Sequence, residues 1–212
     1  MSLISGKIIE RLSRYRSVLQ DCLNHDRETI YSHELAAMVH ATSAQVRQDI
    51  MKIGYNGTPS KGYVIKDLIG SITQVLDEDG GTKIALVGAG NLGKAIISYF
   101  KGKRPKLSIK AVFDIDGEKI GRMISGVRCY HLSEAREIIK ESGISVAIIA
   151  CPGESIDEVK DILIRARIRS ILNCSSTPIK APPNVYVEEM DITAALEKAV
   201  YYAKQSNQMK QF

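Results

Sequence analysis

The sequence predicts an α/β protein: an N-terminal winged helix-turn-helix, a Rossmann-type parallel sheet behind it, and a terminal helix. Three observations carry the prediction. Gly88-Ala89-Gly90-Asn91-Leu92-Gly93 stands between an apolar strand and an apolar helix. From there to about residue 190, strand-like and helix-like segments alternate, the pattern of a parallel sheet covered by helices. Before residue 80 the apolar spacing is helical, interrupted once by a glycine-rich hairpin. The expected domains are residues 1–80, residues 81–190 and a C-terminal helix in residues 191–212.

Composition narrows the class. With 44% hydrophobic and 25% charged residues among 212, the chain can bury a core of ordinary size. Its apolar runs stop well short of the ~20 residues that a membrane span needs. Lys7, Glu10 and Arg11 interrupt the start before an apolar signal segment forms, so the expected location is cytoplasmic, with no membrane partner. Cys22, Cys129, Cys151 and Cys174 lie at least 22 residues apart, which predicts free thiols and no metal site. Net charge is +5, with 9 Lys+Arg against 10 Asp+Glu before residue 80 and 20 against 14 from there on. The densest basic group, Lys101, Lys103, Arg104, Lys106 and Lys110 around Pro105, reads equally as a nucleic-acid contact or as a solvated loop.

In the first piece, Ile4, Ile8, Ile9, Leu12, Tyr15, Leu19 and Leu23 recur at helical spacing and predict one long amphipathic helix. Residues 29–32 read as extended, and Ser32 as the N-cap of a helix over 33–39. After a tight connection at His40-Ala41-Thr42, Thr42 or Ser43 caps a third helix, whose Val46, Ile50 and Ile53 face inward. Gly54, Gly57, Pro59 and Gly62 break the chain before a strand at 63–65 and a last helix over 66–77. In a winged helix-turn-helix the third helix enters the DNA major groove and the wing lies on adjacent backbone. A small helical packing or dimerisation domain would show the same pattern. Candidate DNA contacts are Ser43, Gln45, Arg47, Gln48 and Lys52 on the third helix, and Lys61 in the wing. Gln suits adenine edges, Arg suits guanine, and Lys suits phosphate. Residues 43–66 set Arg47, Lys52, Lys61 and Lys66 against Asp49, four cations less one acid, a local +3.

The second piece carries a more specific signal. Residues 83–87 form an apolar strand leading directly into the glycine segment, and an apolar helix over 95–100 follows. A second strand, 109–113, ends in Asp114, 24 residues past Gly90. Strand, G-x-G-x-x-G, helix, strand and acid together make the dinucleotide fingerprint. Gly88 permits the tight turn, Gly90 lets backbone approach a pyrophosphate, and Gly93 lets helix and sheet pack closely. The helix amides then face the phosphate charge. Asp114 accepts from ribose hydroxyls and repels a 2′-phosphate, so the expected cofactor is NAD(H) rather than NADP(H). Asp116 is an alternative acid, in a turn where solvation explains it.

Further expected segments are helices at 118–123, 133–142 and 155–166, and strands at 146–150, 170–173 and 185–187. The ligand crevice lies beyond the carboxyl ends of such strands, where Cys151-Pro152 and Asn173-Cys174 fall. Cys151 reads as a small apolar wall residue or as a redox thiol. Over 191–204, Ile192, Ala195, Leu196, Ala199, Val200 and Tyr202 make a broad apolar face, to be buried on its own sheet or in a partner subunit.

A catalytic constellation is missing. His25, His33, His40 and His131 are scattered, and no substrate domain follows the Rossmann segment. Tyr99 and Lys103 have the Tyr-x-x-x-Lys spacing of short-chain dehydrogenases, but on the phosphate-binding helix rather than a later one. No catalytic residue is expected. A cofactor domain joined to a DNA reader makes the nucleotide a signal.

In this combination the chain resembles the Rex family of bacterial redox-sensing transcriptional repressors. The resemblance rests on Ile9-Glu10-Arg11-Leu12 with Tyr15, on residues 43–50 (Ser-Ala-Gln-Val-Arg-Gln-Asp-Ile), and on residues 88–95. It continues through Phe113-Asp114-Ile115-Asp116 with Lys119-Ile120-Gly121, Gly143-Ile144, Ile171-Leu172-Asn173, and Val187-Glu188 leading to Asp191-Ile192. It implies a homodimer exchanging terminal helices, winged helices on a palindromic operator, and NAD(H) sites near the dimer interface. Such repressors hold DNA when free or bound to NAD+ and release it as NADH accumulates. By position, Tyr99 and Asp191 match the family's nicotinamide-side and exchanged-helix polar residues. The cofactor set is then Gly88, Ala89, Gly90, Asn91, Leu92, Gly93, Tyr99, Asp114, Lys119, Cys151, Pro152 and Asp191.

The chain also departs from the family pattern. Asp49-Ile50-Met51-Lys52-Ile53-Gly54 stands for Asp-Leu-Ser-Tyr-Phe-Gly, and Pro59-Ser60-Lys61-Gly62-Tyr63 for Arg-Gly-Val-Gly-Tyr. Ser17 takes the place of an arginine after Tyr15, and Asn173-Cys174-Ser175-Ser176 replaces Asn-Phe-Ala-Pro. The alternatives are a small NAD(H)-dependent oxidoreductase, or an NAD(H)-binding protein with lost or altered DNA binding.

Overall fold

The computed structural model describes residues 4–102, 104 and 106–209. Lys103 and Pro105, named above in the basic cluster, and with Lys103 the Tyr-x-x-x-Lys spacing, lie outside the described residues. The chain divides into two compact units that meet between Asp79 and Gly80.

The first unit runs α1 (Gly6–Asn24), β1 (Thr29–Ile30), α2 (Ser32–Met38), α3 (Ser43–Lys52), β2 (Tyr63–Val64) and α4 (Ile65–Leu76). Steps of three and four residues put Ile8, Leu12, Tyr15, Leu19 and Cys22 on the buried face of α1. That face is narrower than the sequence predicted, because Ile9 stays 37% exposed. With Leu35, Val46, Ile50, Leu68 and Ile72 it forms the core of the unit. Ser32 is the first helical residue of α2 and not its cap: the Tyr31 N–H donates to the Glu34 carboxylate at 2.8 Å, so Tyr31 closes the helix start. Thr42 caps α3 reciprocally, its Oγ1 accepting from the Gln45 N–H at 3.1 Å while Gln45 Oε1 accepts from the Thr42 N–H at 3.0 Å. His40, at φ +53°, makes the turn between α2 and α3. β1 and β2 pair antiparallel, Ile30 opposite Tyr63, and a bridge between Thr58 and Gly62 closes the wing that precedes β2.

The second unit contains β3 (Thr82–Val87), α5 (Asn91–Phe100), β4 (Leu107–Asp114), β5 (Met123–Ile124), β6 (Val127–His131) and α6 (Ala135–Ser142). It continues with β7 (Val146–Ile149), α7 (Ile156–Arg165), β8 (Ser170–Asn173), β9 (Tyr186–Glu189) and α8 (Ile192–Met209). The sheet order is β5-β6-β4-β3-β7-β8-β9. Every pair is parallel except the β5–β6 edge. Without β5, that is the doubly wound order whose chain reverses direction across the sheet between its first and fourth strands, here β3 and β7. Ile84, Ala85, Leu86 and Val87 are buried together, as a strand covered on both faces requires. Ala85, Val87, Phe113, Ile139 and Leu163 pack on one side; Ile84, Leu86, Ile97 and Val112 pack on the other.

The helix expected at 118–123 does not form; a turn and the β5–β6 hairpin occupy its place. Gly121 (φ +78°), Ser125 (φ +50°) and Gly126 (φ +94°) take left-handed conformations that no continuing helix accommodates. The Asp116 carboxylate also takes the Glu118 N–H at 3.0 Å, which closes a local turn instead. α8 follows the sheet with its apolar side open: Ile192 is 56% exposed, Leu196 64% and Val200 45%.

At Gly93, where α5 crosses the end of β3, a Cβ would lie 2.0 Å from the Gly88 carbonyl oxygen. Gly93→Ala must push helix and strand apart, and the expected cost is about 1–3 kcal/mol. Urea unfolding of the full chain measures it. A midpoint unmoved by the substitution would contradict this packing.

Candidate functional site

Three glycines shape the exit from β3, each for a different reason. Gly88 has φ +101°, and a Cβ there would stand 2.5 Å from the Ala150 oxygen, so backbone and packing both demand glycine. Gly93 is demanded by the helix–strand crossing. Gly90 is demanded by neither: its φ of −74° suits any residue, and no atom lies within 4 Å of a Cβ built on it. Its bareness leaves the first turn of α5 open to a close-lying group. That turn carries amides with no partner inside the helix and the positive end of the helix dipole, an arrangement suited to an anion.

Gly88 and Gly90 form one wall of a cleft of about 360 Å³ beyond the carboxyl ends of the strands. Phe113, Asp114, Ile115 and Lys119 line it from the end of β4, with Leu132 beside them. Ala150, Cys151 and Pro152 follow β7 into it, and Ser155, Glu158 and Val159 close it from the start of α7.

Asp114 is the charged centre of this cleft, its side chain 10% exposed. Oδ2 accepts from the Ala89 N–H at 2.8 Å and from Lys119 Nζ at 3.3 Å; Oδ1 accepts from the Asp116 N–H at 3.0 Å. A carboxylate offers about four acceptor positions, so one on Oδ1 remains for an incoming hydroxyl. Burial pushes the carboxyl up, but the Asp116 and Ala89 amides and the Lys119 ammonium hold it below the usual carboxylate range. Lys119 also bonds Asp116 at 3.1 Å, and both contacts raise its own pKa. Burial pushes the Cys151 and Cys174 thiols up, which favours their protonated form at neutral pH.

Of the residues singled out in the sequence, Gly88, Gly90, Asp114, Lys119, Cys151 and Pro152 line one cleft. Ala89 is fully buried beneath it and Asn91 opens α5. Leu92 and Tyr99 instead line a separate, mainly apolar cleft of about 320 Å³ with Ala95, Ile96, Phe100, Leu172, Cys174, Met190 and Ile192. Asp191 caps α8, its Oδ1 accepting from the Ala194 N–H at 3.0 Å. Sequence reasoning missed Ile115, Ser155 and Glu158. The rule that the crevice lies past the strand ends pointed to the latter two, which open and enter the helix after β7. Among the described residues, no group of His, Cys, Asp and Glu could hold a metal ion, and no helix is long and apolar enough to cross a membrane.

In the first unit, α3 exposes Gln45, Arg47, Gln48, Met51 and Lys52, with Ser43 half-buried at its start and Lys61 exposed in the wing. Gln45 spends its oxygen on the helix cap. Arg47 donates from Nη1 to Ser32 Oγ at 3.2 Å and leans toward the wing, lining a small cleft with Tyr31, Thr58, Pro59 and Tyr63. Asp49 points inward, 2% exposed, and its charge is met by Arg11. The exposed charge over residues 43–66 is therefore the four cations alone.

A winged helix-turn-helix joined to a dinucleotide-type Rossmann sheet defines the class of ligand-responsive DNA-binding regulators. Two family models match: "Putative DNA-binding protein N-terminus" over residues 3–50 and "CoA binding domain" over residues 79–177. Redox-sensing transcriptional repressor Rex of Rubrobacter xylanophilus is 36% identical, the match covering 94% of this chain and 92% of that relative. That of Roseiflexus sp. is 35% identical over 92% and 89%. Among solved structures, RSP in complex with beta-NAD+ and operator DNA superimposes with a TM-score of 0.90 at 28% identity, covering 100% of this chain and 97% of that one. RSP in complex with beta-NADH gives 0.86 at 28% identity, over 100% and 99%. The chain belongs to the Rex family of redox-sensing transcriptional repressors.

The lowered carboxyl of Asp114 has a consequence for stability. A folded value below the unfolded one adds stability above about pH 4, lost as pH falls through the folded value. Denaturant titrations of wild type and Asp114→Asn should show a gap that is constant near neutrality and closes in the acid range. A gap unchanged down to about pH 2 would contradict the network.

Proposed function

We propose that the chain is an NADH-responsive repressor: it holds NAD(H) in the cleft of the second unit, binds operator DNA through the first, and releases the DNA when NADH replaces NAD+. The observation that carries this reading is the relative solved with both beta-NAD+ and operator DNA, to which the whole chain superimposes. The residues of the cleft fit the cofactor. The bare face of Gly90 and the open amides of α5 suit a pyrophosphate. The free acceptor position on Asp114 suits a ribose hydroxyl, and its ionised state disfavours a 2′-phosphate. Ile115, 67% exposed at the rim, offers an apolar face to adenine. In this reading Cys151 and Pro152 serve the nicotinamide end of the cleft; Leu92, Tyr99 and Asp191 lie outside it in the single chain and are assigned to the cofactor from the family resemblance.

Bound NAD(H) supplies the presence or absence of one ring charge, not a hydride for a substrate; the relatives are named as repressors, not enzymes. Ser43, Gln45, Gln48 and Arg47 serve the major groove in this reading, Lys52 and Lys61 the phosphates. Such a regulator works in the cytoplasm, where the DNA is.

The exposed apolar side of α8 supports a homodimer in which the helix packs on the partner, an exchange that also pairs two winged helices for a palindrome. Moving a two-state equilibrium from 1:99 to 99:1 takes about 10⁴-fold preference, so two sites in a dimer need about 100-fold each.

The test is fluorescence anisotropy at fixed salt, on a labelled duplex that the protein itself enriches from a randomised pool. NADH should release the duplex at concentrations where NAD+ leaves it bound; indifference to both nucleotides would sink the sensing role. Light scattering tests the assembly: Leu196→Asp with Val200→Asp should convert a dimer to a monomer and abolish operator affinity. A double variant still dimeric would place the interface elsewhere.

A further inference from the structure

Arg11, Tyr15 and Asp49 stand in the sequence motifs, yet neither the cleft nor the exposed side of α3 uses them. Asp49 lies on the inner face of α3 beside Val46 and Ile50, between Gln48 and Lys52 in the chain. Its carboxylate accepts three hydrogen bonds from α1: Arg11 Nε to Oδ2 at 2.7 Å, Arg11 Nη2 to Oδ1 at 2.8 Å, and Tyr15 Oη to Oδ2 at 2.9 Å. Arg11 thus meets both oxygens as a fork. Tyr15, one helical turn further along α1, adds a second point of attachment. Contact with Asp49 raises the Arg11 pKa; burial first, then Asp49, raises that of Tyr15, so the donors keep their protons.

Val46 and Ile50, which share that face, are apolar. Apolar packing is non-directional and specifies the rotation of a helix weakly. A planar guanidinium–carboxylate fork specifies it strongly. A rotation of about 20° on a helix about 11 Å across displaces its surface by about 2 Å, enough to break base-edge hydrogen bonds. Lysine contacts to phosphate tolerate that shift, because the ammonium is a point charge on a flexible stem. A buried ion pair adds little stability over an apolar pair of similar volume, and registry is its best-attested use.

We infer that the Arg11–Asp49–Tyr15 cluster is a positioning device for operator reading, which sets the rotation and height of α3 so that Gln45, Arg47 and Gln48 meet base edges. The inference rests on the operator-binding reading above. Removing the fork costs discrimination between sequences before it costs affinity for DNA as such.

The experiment uses the full chain and two variants, Arg11→Lys, which keeps the charge without the fork, and Arg11→Met with Tyr15→Phe and Asp49→Leu, which replaces the whole cluster by apolar groups and leaves no buried hydroxyl unpaired. Anisotropy gives affinities for the duplex enriched by the wild type and for a scrambled duplex of equal composition; NADH affinity and melting temperature are measured alongside. Both variants should lose about tenfold of the enriched-over-scrambled ratio, the scale of one base-edge contact. Scrambled-duplex affinity, its salt slope and NADH affinity should stay at wild-type values. The triple variant should melt at or above the wild type, separating registry from stability. An unchanged ratio, or an equal loss on both duplexes, overturns the inference while operator binding stands. A wild type that prefers no sequence over the scrambled duplex overturns the operator-binding reading, and this inference with it.

Discussion

The close crossing of α5 over the end of β3, main chain against main chain at Gly93 and Gly88, is the constraint on which the second unit depends. It aims the open end of α5 into the gap between β3 and β7, where the direction of winding reverses. It also presents the Ala89 N–H to Asp114, so the turn after β3 is tied to the end of β4 by a charged hydrogen bond. Lys119 and Asp116 then fold back on that same carboxylate. One end of the cleft is the glycine turn, and it is held by one ionised acid that already accepts from two backbone amides and from Lys119. A polar ligand there meets groups already oriented, and ordering them costs little on binding.

The first unit solves a different problem. A reading helix must stand proud of its core, so little of its own surface is available to hold it. α1 holds it by charge, through Arg11 and Tyr15 on Asp49. The next residue of α1, Arg16, pairs with Asp77 at 2.9 Å, with side chains only 12% and 8% exposed. Asp77 closes α4 two residues before the boundary of the unit. One helix therefore carries the ionic ties both of the reading helix and of the segment by which the chain leaves the unit. Among the described residues, Arg16 Nε is buried without a hydrogen-bond partner.

α8 stands apart from both. An 18-residue helix with Ile192, Leu196 and Val200 open to solvent is costly in water. In the dimer proposed above, the same surface would supply both area and symmetry, and a two-fold axis is what a palindromic site needs. A bare single chain thus shows an incomplete hydrophobic balance, consistent with the proposed exchange.

The sequence by itself determined the succession of elements, the glycine turn, the acid at the end of β4 and the capped α3, because each is dictated by neighbours within a few residues. A tight turn demands glycine, a helix start demands an acceptor side chain, and burial on one face leaves its period in the chain. It expected a helix over 118–123, where Gly121 takes a left-handed conformation and a turn leads into the β5–β6 hairpin instead. The glycine segment's division of labour, with Gly90 the one left bare, was legible in the sequence; only the tertiary structure decided that Ser155, Glu158 and Ile115 line the cleft. Only it turned Arg47 toward Ser32, and turned Asp49 inward onto Arg11, 38 residues away. Local periodicity encodes which face of an element is buried; it does not encode what that face meets. That is set by the register of packed elements far apart in the chain, and there the buried charge of Asp49 acquires its meaning.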